Sequence, residues 1–144
     1  MKEQNYANHK RYDLFYHGFT FMLIIVLIAA SLYNLYISIS GGQEIFTGIC
    51  FLLISVLILI QFFYARIFSL KAQDRAIRAE ENLRYFVLKG KLLDNRLNIQ
   101  QILALRFASD NEFPELAERA LNNNLKSDDI KREIKNWRAD NYRV

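Results

Sequence analysis

The chain has one cysteine, one proline, five glycines and two histidines in 144 residues, and each scarcity removes a class of explanation. With Cys50 alone there is no disulfide within the chain, so cysteine says nothing of compartment. Cys50 sits in an apolar run with no base or positive charge near it, which describes a packing residue and not a nucleophile. His9 and His17 lie eight residues apart without thiolate or carboxylate partners at ligand spacing, so no metal site is expected. No Gly-rich phosphate loop and no paired His and carboxylate motif is present. We therefore expect no catalytic residue, cofactor site or enzymatic activity.

Charge of one sign is also lacking. From Arg66 onward there are sixteen Lys or Arg and twelve Asp or Glu, thoroughly interleaved. A phosphate track needs a one-sign patch, so no nucleic acid partner is expected. The acids Glu112, Glu115 and Glu118, followed by Arg119, read as a solvated helix face.

What is abundant is apolar sequence. From Leu14 to Gln43 there is no Asp, Glu, Lys or Arg, and the apolar core runs from about Phe19 to Ile39. That is long enough to cross a bilayer as a helix. It is too long for a secretory signal peptide, and Ala29-Ala30-Ser31 lacks the small upstream residue that cleavage requires. Ser40, Gly41, Gly42, Gln43 and Glu44 form a short turn. Ile45 to Ala65 is a second uncharged apolar run. These segments predict antiparallel spans at about 17–39 and 45–65, joined by a turn at 40–44, within a hairpin covering 14–65.

The second span should not stop at Ala65. The stretch 45–88 has no proline, and its only glycine is Gly48. One helix of that length extends about 65 Å, of which about half fits the hydrocarbon core. A three-and-four spacing runs along it through Gly48, Phe51, Ser55, Ile58, Phe62, Ala65, Ser69, Ala72, Ala76, Ala79, Leu83 and Phe86. We read Gly48, Ser55, Ala65, Ser69, Ala72, Ala76 and Ala79 as a helix-packing seam, because small residues permit close backbone approach. Alanine is also simply the best helix former. Asp74 with Arg78, and Glu80 with Arg84, are acid-first pairs four residues apart that support an exposed helix.

Orientation follows from Lys and Arg near the spans. The basic and aromatic arm 1–13 carries Lys2, Lys10 and Arg11, the turn carries none, and Arg66, Lys71, Arg75 and Arg78 follow the second span. Both termini should face the cytoplasm, with the arm among anionic lipid headgroups. Aromatics cluster at the expected cytoplasmic interface, with Phe15, Tyr16, Phe19 and Phe21 on one span and Phe62, Phe63, Tyr64 and Phe68 on the other. The formal net charge of +4 is explained by this bias.

Residues 66–144 should form a cytoplasmic helical domain of the stalk and about three short helices. Gly90 is placed to cap the stalk. Asn98 with Gln101 resembles a capping box ahead of Ile99, Ile102, Leu103 and Phe107. Ser109 to Glu112 with Pro114 signals a second start, Asn122-Asn123-Asn124 a break, and Ser127 a last helix bearing Ile130, Ile134 and Trp137. Such short helices must pack on one another, the stalk or a neighbouring subunit.

The first span has its own seam, His17, Thr20, Ile24, Leu27, Ser31, Asn34 and Ser38. Ser31, Asn34 and Ser38 form a polar stripe, read as helix-to-helix hydrogen bonding, with a pore lining as the alternative. With no charged residue inside either span, a proton relay has little support.

The runs Gln4-Asn5-Tyr6-Ala7-Asn8-His9-Lys10-Arg11-Tyr12, Leu103-Ala104-Leu105-Arg106-Phe107-Ala108-Ser109-Asp110, Phe113-Pro114-Glu115-Leu116-Ala117 and Ile134-Lys135-Asn136-Trp137-Arg138-Ala139-Asp140 are distinctive. In them the chain resembles a family of small bacterial inner-membrane proteins of unknown function, over nearly its whole length. The resemblance implies two spans and cytoplasmic helices, and no activity or site. The function expected is a non-enzymatic membrane scaffold or accessory subunit that self-associates as a homo-oligomer, or docks a protein partner through its cytoplasmic helices. The alternative is a small oligomeric channel.

Overall fold

A computed structural model describes residues 4–6, 8, 13–42 and 44–140. Lys2, His9, Lys10, Arg11 and Tyr12 of the arm, and Gln43 of the turn, lie outside the described residues. Among those described, the structure is helical, with no strand beyond one isolated bridge between Ala108 and Trp137. A π-helical segment, Phe15–Thr20, leads into α1, Phe21–Ser40. Then follow α2, Ile45–Lys89, α3, Ile99–Leu105, α4, Phe113–Asn122, and α5, Ser127–Glu133. The chain divides into two compact units, Tyr12–Phe68 and Ser69–Val144 with Met1–Arg11. The division falls inside α2, which is continuous through residues 65–69.

The first unit is a hairpin of two helices long and apolar enough to cross a membrane. Only 17% and 11% of their most apolar windows are buried, unlike the core helices of a soluble fold. Helical structure begins earlier than the apolar core of the first span, because the Asp13 carboxylate accepts the Tyr16 N–H at 2.9 Å and caps the helix start. The helices approach closely where side chains are small. A Cβ on Gly48 would lie 3.1 Å from Leu35 Cα, so glycine permits the backbone contact beside the turn. At the other end, Tyr16 stacks on Phe62 with ring centroids 4.4 Å apart, and its hydroxyl donates to the Phe62 carbonyl at 2.6 Å.

The second unit has a true core. Ile102, Leu105, Phe107, Phe113, Leu116 and Ile130 are fully buried, and Tyr85 of α2 packs edge-on against Phe113. Local chemistry sets the helix ends. Gly90 has φ +69° and donates its N–H to the Phe86 carbonyl at 2.7 Å, closing α2. Asn98 and Gln101 exchange side-chain-to-backbone hydrogen bonds at 2.9 Å, a complete capping box on α3. Gln101 also donates to the Leu125 carbonyl at 2.9 Å, tying α3 to the α4–α5 turn. Pro114 lies in the first turn of α4. Asn124, with φ +47°, turns the chain toward α5.

The last helix is shorter than its apolar spacing predicts. α5 ends at Glu133, so Ile134 and Trp137 lie beyond it in extended chain. The cause is Glu112, whose carboxylate accepts the N–H groups of Lys135 and Asn136 at 3.1 and 3.0 Å. Those donors are unavailable to a continuing helix, and the chain instead bridges residues 107–109, laying Trp137 on Phe107 at 5.0 Å between centroids. Glu112 is therefore a tertiary cap, not part of a solvated acidic face.

The described arm residues 4–6 and 8 also belong to this unit, whereas Asp13 belongs to the hairpin. Gln4 accepts the Asp140 N–H at 2.8 Å, and Arg132 lies over the Tyr6 ring, 5.6 Å from its centroid.

Candidate functional site

Three surfaces stand out, and the first two carry the residues that the sequence singles out. The first is the polar stripe of α1. Ser31 and Ser38 are buried within the hairpin, whereas Asn34 is exposed. Ser31 Oγ donates to the Leu27 carbonyl at 2.8 Å and lies 3.4 Å from the Phe51 carbonyl of α2. Its hydroxyl is satisfied along its own helix and faces the neighbouring one. Ser55 is fully buried and donates to the Leu52 carbonyl at 2.8 Å.

The second surface is the small-residue line of α2, which falls into two parts. Gly48 and Ser55 are buried inside the hairpin. Ala65, Ser69, Ala72, Ala76 and Ala79 are exposed, as are Leu83 and Phe86 at the end of the same line. The face of α2 that holds the helical unit is a different one, built on Ile77, Glu81 and Tyr85.

The third surface is an ion-pair network that sequence spacing does not disclose. Arg84 does not use Glu80 as its partner. It lies 2.9 Å from Glu81 through Nη1 and 2.7 Å from Asp110 through Nε, and donates to the Ala108 carbonyl at 2.6 Å. Its guanidinium also covers the Phe113 ring at 4.5 Å. Glu81 and Arg84 lie on the core side of α2, and Glu80 lies on an exposed side. Burial pushes the Glu81 carboxyl above its ordinary range, opposed by the charges of Arg84 and Arg138. Arg106, itself buried, has Nε 3.1 Å from Asp140 Oδ2 and covers Phe107. Glu81, Arg106 and Asp140, with Gln73, Ala76, Glu80 and Arg138, border a cleft of about 380 Å³, and Arg84 lies outside its lining. The only sequence signal was the dense charge around residues 80–84, which reads equally well as a solvated face.

Chemically, the network is a clasp. Each charge meets an opposite charge or a carbonyl, and the carboxylates are spent on guanidinium groups. Among the described residues no cluster of three metal-ligating side chains occurs.

An all-helical fold, with two helices apolar enough to cross a membrane and a separate small helical unit, defines the class of protein. The chain belongs to a family of unknown function, DUF6526, which matches residues 1–144. Neither a curated protein nor a solved structure matches it.

Proposed function

We propose that this protein is a non-enzymatic integral membrane scaffold or accessory subunit of a bacterial inner membrane, with both termini in the cytoplasm. The hairpin anchors it, and the helical unit displays a surface for association. The observation that carries this reading is the use of α2, whose first half is apolar and whose second half gives one face to a folded core and leaves another exposed. The contact between Gln4 and Asp140 supports ends that lie on one side. The absence of Lys and Arg from the turn supports the cytoplasm as that side. The burial of Ser31 and Ser38 within the hairpin favours adhesion between its helices over a channel lined by all three polar residues.

The test is extraction followed by sizing. The protein should resist carbonate washing of membranes. In detergent it should run as a homo-oligomer or with a stoichiometric partner. Release by carbonate, or a monomer at every concentration that co-purifies with nothing, refutes the reading.

A further inference from the structure

The core of the helical unit is closed, with Phe107, Phe113 and Ile102 essentially inaccessible, yet α2 exposes large apolar side chains on this same unit. Leu83 is 64% exposed, Phe86 50% and Val87 75%. They are not loose ends of the core. In a helix of 100° per residue, the line Ala72, Ala76, Ala79, Leu83, Phe86 lies on roughly the opposite side from Ile77, Glu81 and Tyr85. The helix thus has a second, apolar face that the described residues leave exposed, with Ala76 at its edge also bordering the cleft.

We propose that this second face pairs with the same face of a second copy of the chain, as a parallel, in-register two-helix contact. The proposal rests on the membrane-anchored reading above, because two copies inserted in the same direction present their α2 helices in parallel. Charge complementarity selects the occupant. With Ala76 and Leu83 at heptad position a, and Ala72, Ala79 and Phe86 at d, Arg75 falls at g and Glu80 at e. In a parallel dimer a g residue meets the e residue five positions further along the partner. Arg75 therefore lies against Glu80 of the other copy, twice by symmetry. Both side chains are exposed in the single chain. The alanines let the two backbones approach closely, and Leu83, Phe86 and Val87 close the end of the contact.

The test uses full-length protein in its membrane, with Cys50→Ser and single cysteines introduced. Oxidation should link Ala72→Cys, Ala79→Cys and Phe86→Cys into dimers, and should not link Lys71→Cys or Arg78→Cys, which are exposed off the line. Arg75→Glu should lower the linked fraction at Ala79→Cys about fivefold, as two weak ion pairs become like-charge contacts. Adding Glu80→Arg should restore it. Equal linking at all five positions, or none at any, overturns the proposal. So does quenching of a fluorophore at Leu83→Cys by nitroxide-bearing lipid, which would assign the face to the bilayer. A protein that resists carbonate and holds a different stoichiometric partner, but does not link along this line, refutes the pairing and leaves the scaffold reading intact. Release by carbonate refutes the scaffold reading itself.

Discussion

Arg84 of α2 and Asp110 of the α3–α4 connection lie 2.7 Å apart, and this pair fastens the end of the long helix to the core that follows it. The same guanidinium holds Glu81 and the Ala108 carbonyl. Removing it takes from the buried Glu81 carboxylate its nearer partner, leaving Arg138 at 4.0 Å, and strips the buried Ala108 carbonyl of its donor. Arg84→Ala should destabilise the helical unit by about 3–5 kcal/mol. Arg84→Lys should recover only part of this, since an ammonium cannot fork between Glu81, Asp110 and Ala108. Chemical denaturation followed by Trp137 fluorescence measures both, because Trp137 packs on the core of this unit. Equal stability of the two variants and the parent would remove the clasp.

The clasp also predicts a pH signature. Glu81 is raised above 4.5 in the folded state, first by burial, against the pull of Arg84. A carboxyl so raised favours folding most when it is protonated, and that contribution is lost as pH rises through its folded value. The stability of the parent relative to Glu81→Gln should therefore increase as pH falls from neutral toward 4.5, the ordinary value. Parallel denaturation of the two proteins across that window checks the sign. A difference that shrinks on acidification would mean that the charges of Arg84 and Arg138 outweigh burial.

The features legible in the sequence are those whose physics is local. Gly90 sits at positive φ, Asn98 and Gln101 cap α3, and Pro114 opens α4, each readable within four residues. The two apolar helices follow from composition and length. The features that were not legible depend on partners far along the chain. Glu112 looks like one acid in a solvated row until it meets Lys135 and Asn136. Arg84 has an acid four residues before it in sequence, yet packing turns it toward Glu81 and Asp110. Ile134 and Trp137 keep helical spacing with Ile130, and only the bridge to residues 107–109 draws them out of the helix. The small-residue line of α2 was readable as one seam, but the sequence had no means of showing that its first part is used within the hairpin while the rest is exposed.

Gly48 tests the hairpin. A Cβ there would lie 3.0 and 3.1 Å from Leu35 Cδ1 and Cα, so Gly48→Ala requires a small separation of the helices, and Gly48→Leu a large one. Overpacking of this kind costs about 1–3 kcal/mol. The expected readout is a lower yield of disulfide between single cysteines at Ser31 and Phe51, which lie close across the hairpin with Ser31 Oγ 3.4 Å from the Phe51 carbonyl, in a Cys50→Ser background, in the order parent, alanine, leucine. An unchanged yield with leucine would show that this contact is not tight.

The two ends of the α2–α3 connection should respond differently to alanine. Gly90 has open space around its Cα, so Gly90→Ala meets no neighbour, and its whole cost is backbone strain at φ +69°. That strain is about 1 kcal/mol, and Gly90→Asn should recover part of it because asparagine tolerates the left-handed region. Asn98→Ala removes a hydrogen bond to the Gln101 N–H and should cost about 0.5–2 kcal/mol. Gln101→Ala should cost more than its place in the capping box alone, because its amide also donates to the Leu125 carbonyl from a buried position. Denaturation midpoints of the four variants settle the order. If Gln101→Ala proved no worse than Asn98→Ala, the tie between α3 and the α4–α5 turn would contribute nothing beyond the cap.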